Sequence, residues 1–139
     1  MKRIWLALLV LALVASLVLG CAKAVTVDDV LAQFDQSTYY SQKYGAEMIE
    51  IVRTDIAENN IALTGDLVTV VHLIDNRSSA KEGNVVWAYV YEFAEEADAE
   101  VLEKDRRAFM EATDENGACV RFGKIVVFGN APVIATMDP

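Results

Sequence analysis

Apolar and polar positions along this chain change rhythm several times, and each rhythm predicts a different kind of element. Residues 4–20 (IWLALLVLALVASLVLG) carry no charge and one polar side chain, Ser16. From Thr26 the pattern breaks into short periods. Thr26-Val27-Asp28-Asp29-Val30-Leu31 reads as a helix start: Thr26 can cap, the aspartates suit the positive end of the helix dipole, and Val30, Leu31 and Phe34 form one apolar face. After a polar break at 35–38, a second helix is predicted over 41–59. There Tyr44, Met48, Val52 and Ile56 recur every four residues with Ile49 beside them.

The period then falls to that of strands. Residues 67–74 (LVTVVHLI) and 85–93 (VVWAYVYEF) are β-branched and aromatic, and the charged turn between them predicts an antiparallel pair. Helical spacing returns over 94–112, with Glu95, Glu96 and Asp98 early and Lys104, Arg106 and Arg107 late, as the helix dipole favours. Ala97, Val101, Ala108 and Ala112 form its predicted inner stripe, flanked by Leu102 and Phe109. Two short strands, 117–122 and 124–128, hinge at Gly123. The order α-α-β-β-α-β-β predicts an α+β fold, a two-layer sandwich of an antiparallel sheet packed by helices. Residues 27–139 suffice for one domain and are too few for two.

The apolar run at the start needs its own account. Met1-Lys2-Arg3 followed by uncharged residues has the order of a secretory signal. The run falls slightly short of the roughly 20 apolar residues of a membrane-spanning helix. At its end, Val18-Leu19-Gly20-Cys21 resembles the lipobox of bacterial lipoproteins, in which an aliphatic residue and a small residue precede an obligatory cysteine. The resemblance covers residues 1–21 only, and Leu19 is less usual at its position than Ala or Ser. It implies that residues 1–20 are a signal peptide and are removed. It also implies that the Cys21 sulfur carries a diacylglyceryl group and that 21–26 is a short tether to the bacterial cell membrane or outer membrane. Ala22 in place of Asp favours the outer membrane in a Gram-negative envelope. The other reading keeps the run as an uncleaved anchor with an incidental cysteine. A tether of five residues spans at most about 18 Å.

Charge narrows the partners. The chain carries −9, and after Cys21 ten basic residues face all 21 acidic ones, a net charge of −11. Such a domain offers no basic face to a phosphate backbone, which disfavours nucleic acid. Anionic headgroups repel it, so the membrane must be reached through lipid on Cys21.

Little in the domain points to chemistry. His72, the only histidine, shares a strand face with Val70 and Ile74 and has no nucleophile, acid or ligand at a recognisable spacing, which is the pattern of a core or sheet-edge histidine. Cys119 lies within a strand and reads as a buried, inert thiol; an exposed reactive thiol or an intermolecular bridge is the alternative. Glu92, Glu95, Glu96 and Asp98 lack the arrangement of a Ca²⁺ loop and suit a helix N-terminus. No catalytic residue, metal or cofactor is predicted.

The strongest surface signal is a row of four aromatics. Trp87, Tyr89, Tyr91 and Phe93 alternate and share one strand face, with Val86, Ala88 and Val90 on the other. The row suits either a platform for a sugar, peptide or protein partner or a central strand with the second helix lying over it. The expected function is a lipid-anchored cell-envelope protein, a non-catalytic binding or scaffold module with an envelope protein or small molecule as partner. The alternatives are a small enzyme or redox protein using His72 or Cys119, and an accessory subunit of a transport or secretion complex.

Overall fold

The computed structural model describes residues 23–113 and 116–139. The leader and Cys21 lie outside the described residues, and among those described no helix is long and apolar enough to cross a membrane. The elements are α1 (Val27–Leu31), β1 (Tyr39–Lys43), α2 (Ala46–Glu58), β2 (Leu67–Asp75), β3 (Trp87–Phe93), α3 (Glu96–Thr113), β4 (Ala118–Phe122) and β5 (Ile125–Gly129), with 3₁₀ turns at Ala80–Glu82 and Pro132–Thr136. The strands make one antiparallel sheet in the order β1-β2-β3-β5-β4. The fold is α+β.

β1 stands where the sequence pattern predicts the start of the second helix, so the order α-α-β-β-α-β-β gains a strand between its first two helices. The segment Tyr-Tyr-Ser-Gln-Lys has no apolar alternation because four of its five residues are exposed. What makes it a strand is the open edge of β2, whose backbone groups need partners. Register is fixed at both ends by Tyr44 N–H bonding the Val70 carbonyl and Asn76 N–H bonding the Thr38 carbonyl, each at 2.9 Å. The turn that delivers β1 is held by Asp35, whose carboxylate accepts from Ser37 N–H at 2.9 Å and from the Thr38 hydroxyl at 2.9 Å.

Both sheet faces are covered. On one, α1 and the C-terminal segment bury Val71, Leu73, Val90 and Val127 beneath Val30, Phe34, Ile134 and Met137. On the other, α2 and α3 lie over Val70, Tyr91, Phe93 and Val126. A bulge places the β2 residues on these faces: Leu67 pairs with Phe93 and Thr69 with Glu92, so Val68 is extra and turns outward. Gly129 allows β5 to lie against β3, since a Cβ there would meet the Trp87 carbonyl oxygen and sit 2.7 Å from the Ala88 Cα.

The inner face of α3 is not the predicted alanine stripe. Ala97, Val101, Ala108 and Ala112 are exposed, and Asp98, Ala99 and Leu102 are buried. Polar side chains occupy the inner positions because each has a partner there. Asp98 accepts from Thr64 N–H at 2.8 Å, the Thr64 hydroxyl at 2.9 Å and Gly65 N–H at 2.7 Å, which ties the 61–66 loop to the helix. Glu103 meets Arg121 of β4 at 2.8 Å.

A candidate aromatic surface

β3 is the middle strand of five, and Trp87, Tyr89, Tyr91 and Phe93 do share the face beneath α2 and α3. Their exposure falls along the strand. Phe93 is 1% and Tyr91 7% exposed, whereas Tyr89 and Trp87 are half-buried. The helices explain the gradient. α2 seats fully on β2 only at Ile56, and its N-terminal half leaves Met48 and Ile51 exposed. α2 lies against β2, whereas α3 lies over β3, β5 and β4. Between them the sheet is fully covered at Phe93 and half-open at Trp87.

On this face the rings form one network. His72 stacks on Tyr89 with centroids 4.3 Å apart and planes 6° from parallel, and Tyr91 stacks on the same ring at 5.7 Å. Trp87 meets Tyr89 edge-on at 5.7 Å and Phe128 at 5.4 Å. Tyr44, just before α2, stands edge-on to both His72 and Tyr89 at 6.4 Å. Tyr40 pairs with Ile74 across β1 and β2 and so joins the same face, 64% exposed. Arg106 of α3 lies 5.5 Å over the Phe128 ring, a cation–π contact. Its Nε is buried without a hydrogen-bond partner among the described residues. Beside Trp87 a cleft of about 410 Å³ runs between Met110, Phe128 and Asn130.

The electrostatics are those of a neutral surface. Burial holds His72 below its ordinary value, so the imidazole is uncharged at neutral pH. Burial, with the Tyr44 hydroxyl nearby, pushes Tyr89 up to about 12, and burial pushes Tyr91 higher still. The phenols therefore stay protonated and can donate. Arg106 supplies the positive charge.

The remaining candidates are dispersed. The acidic residues around the start of α3 serve separate partners: Glu92 accepts from the Thr69 hydroxyl at 2.8 Å, Glu96 pairs with Arg121 at 2.9 Å, and Asp98 holds its loop. Among the described residues no group of three His, Cys, Asp or Glu side chains could hold a metal. Cys119 is buried with its sulfur 4.0 Å from the Glu103 carbonyl oxygen, and burial raises the thiol to about 12. Tyr40 is a member of the surface that the sequence pattern did not single out, and Tyr44 and Arg106 were read there only as helix residues. Tyr40 sits on the unrecognised strand, and Arg106 reads as a dipole-matching residue until Phe128 is seen beneath it. No protein-family model, curated protein or solved structure matches this chain.

Proposed function

We propose that this chain is a lipid-anchored cell-envelope protein whose domain binds a partner in the envelope without catalysing a reaction. The observation that carries the reading is the half-open aromatic surface of Trp87, Tyr89, His72, Tyr44 and Tyr40. Large, rigid rings with polar tips, left partly uncovered around a buried centre, suit a partner contact. His72 is engaged with aromatic rings, and the Cys119 thiol is buried and protonated, so neither is placed for catalysis.

The proposed tether gives the surface a direction. Thr26, Val27 and Asp28 share a cleft with Lys43, Thr69 and Glu92 on the face opposite α2 and α3. The cleft runs from Thr69 and Glu92, about 17 Å along the strands from Ile74 and Trp87 at roughly 3.4 Å per residue, to Ser41 opposite Leu73. A lipid on Cys21 would hold that face toward the bilayer and leave the aromatic surface, on the opposite face, turned toward the aqueous envelope. The partner is then an envelope protein or a soluble small molecule, and the same geometry serves an accessory subunit of a transport or secretion complex. The two-layer sandwich belongs to this reading, with α2 and α3 as the helix layer and α1 and the C-terminal segment as a cap on the other face.

Native mass spectrometry of the protein, extracted from its own membrane in mild detergent, tests the reading. The expected species lacks residues 1–20, carries diacylglyceryl on Cys21 and retains an added mass that the Tyr40→Glu variant loses. An intact N-terminus, or a bound mass indifferent to Tyr40, contradicts it.

A further inference from the structure

The two edges of the sheet are finished differently. β1 presents Tyr, Ser, Gln and Lys to solvent, the polar finish that discourages pairing with another chain. β4 reads Ala-Cys-Val-Arg-Phe, and its side chains are covered on both faces while its outer backbone edge has no backbone partner among the described residues. Pairing of Phe122 with Ile125 across the two-residue turn makes residues 118, 120 and 122 the ones that bond β5. Gly123, with φ +56°, supplies the first central residue of that turn. The amides and carbonyls of Cys119 and Arg121 consequently point away from the sheet. They face a trough of about 620 Å³ walled on one side by Glu103, Arg107 and Met110 of α3 and on the other by Met137. A strand of five residues is about 17 Å long, so the trough runs beside a full-length edge.

The trough also has charged side chains of its own. Arg121 bonds Glu103 through Nε at 2.8 Å, and Arg107 bonds the same carboxylate through Nη2 at 3.0 Å. Glu96 takes Arg121 Nη1 at 2.9 Å toward the hairpin end. Two guanidiniums thus share one glutamate within the trough, and Arg107 Nη1 and Arg121 Nη2 make no hydrogen bond among the described residues. The two glutamates balance the two arginines in charge, and each guanidinium keeps one nitrogen free to donate beside the strand edge.

We propose that β4 is a strand-docking site: an extended segment of a partner protein, bearing an aspartate or glutamate among β-forming residues, adds to the sheet as a sixth strand. Main-chain bonds to Cys119 and Arg121 hold the segment, and Arg107 with Arg121 reads its carboxylate. This surface lies at the sheet edge farthest from β1 and is distinct from the aromatic one.

The test uses the full chain in detergent and three fluorescein-labelled peptides: Val-Thr-Val-Asp-Val-Thr-Val-amide, the same peptide with lysine for aspartate, and an aspartate version N-methylated at alternate residues. The aspartate peptide is expected to bind and to slow hydrogen exchange at the Cys119 and Arg121 amides. The lysine and N-methylated peptides should each bind at least tenfold more weakly. Arg107→Gln should lose most of the preference for aspartate over lysine, and Arg107→Lys should retain it. Equal binding of all three peptides, unchanged exchange at Cys119 and Arg121, or a dimer of this chain that already occupies β4 would overturn the proposal.

Discussion

At the scale of single residues, the structure depends on side chains whose partners are far away in sequence. Asp98 is 1% exposed and accepts three hydrogen bonds from Thr64 and Gly65. Burial acts to raise its pKa, but the bonds together outweigh it, and the carboxyl titrates below its ordinary value. Asp98→Ala removes the partner of the Thr64 and Gly65 amides and should cost about 1–3 kcal/mol, seen as a lowered midpoint in urea unfolding. His72 gives a sign-specific pH effect. The folded state keeps it neutral, so the unfolded chain binds the extra proton. Its contribution to stability is full above the free value of 6.5 and declines as pH falls through that value. Thermal unfolding between pH 7.5 and 5 should show this decline, and His72→Gln should flatten it; the depressed carboxylates Asp98 and Glu103 act only at lower pH, around and below 4. Cys119 should stay silent to a thiol reagent until the chain is denatured, because its thiol is buried and protonated.

At the scale of elements, what the sequence made legible was whatever carried its own periodic signal. β2, β3, β4, β5 and the body of both long helices were readable because β-branched, aromatic or 3.6-spaced residues mark them. β1 was not, since an exposed edge strand is defined by its neighbour's open backbone, and Tyr39 to Lys43 have no buried alternation to show. The inner face of α3 was misassigned for a related reason. Alanines fit either side of a helix, whereas Asp98, Glu103 and Arg106 face inward only because Thr64, Arg121 and Phe128 await them. The aromatic row was legible as one face of one strand; its division into a core half and an open half was not, since that depends on which part of the sheet each helix covers. α1 was legible from its cap. Thr26 and Asp29 form a reciprocal capping box, with Asp29 N–H to the Thr26 hydroxyl at 3.2 Å and Thr26 N–H to the Asp29 carboxylate at 2.9 Å. Thr26→Ala should cost about 1 kcal/mol and speed hydrogen exchange over residues 27–34, with the rest of the domain unaffected.

At the scale of the whole molecule, the start of α1, which the proposed lipid tether would precede, and the aromatic surface lie on opposite faces of the sheet. A net charge of −11 after Cys21 would keep the domain off anionic lipid, and the proposed lipid on Cys21 would hold it close to the bilayer through a short tether. On this proposal the sheet would stand between α1 on the membrane side and Tyr40, Trp87 and Tyr89 on the opposite face. Hydroxyl-radical footprinting read by peptide mass spectrometry tests the central claim directly, comparing the protein in its native membrane with the same protein purified in detergent. The account predicts that Tyr40 and Trp87 are oxidised readily in the purified protein and protected in the membrane. Phe109, exposed on the outer side of α3, should react equally in both. Equal oxidation of Tyr40 and Trp87 in the two preparations would contradict the account, because the surface would then have no partner where the protein works.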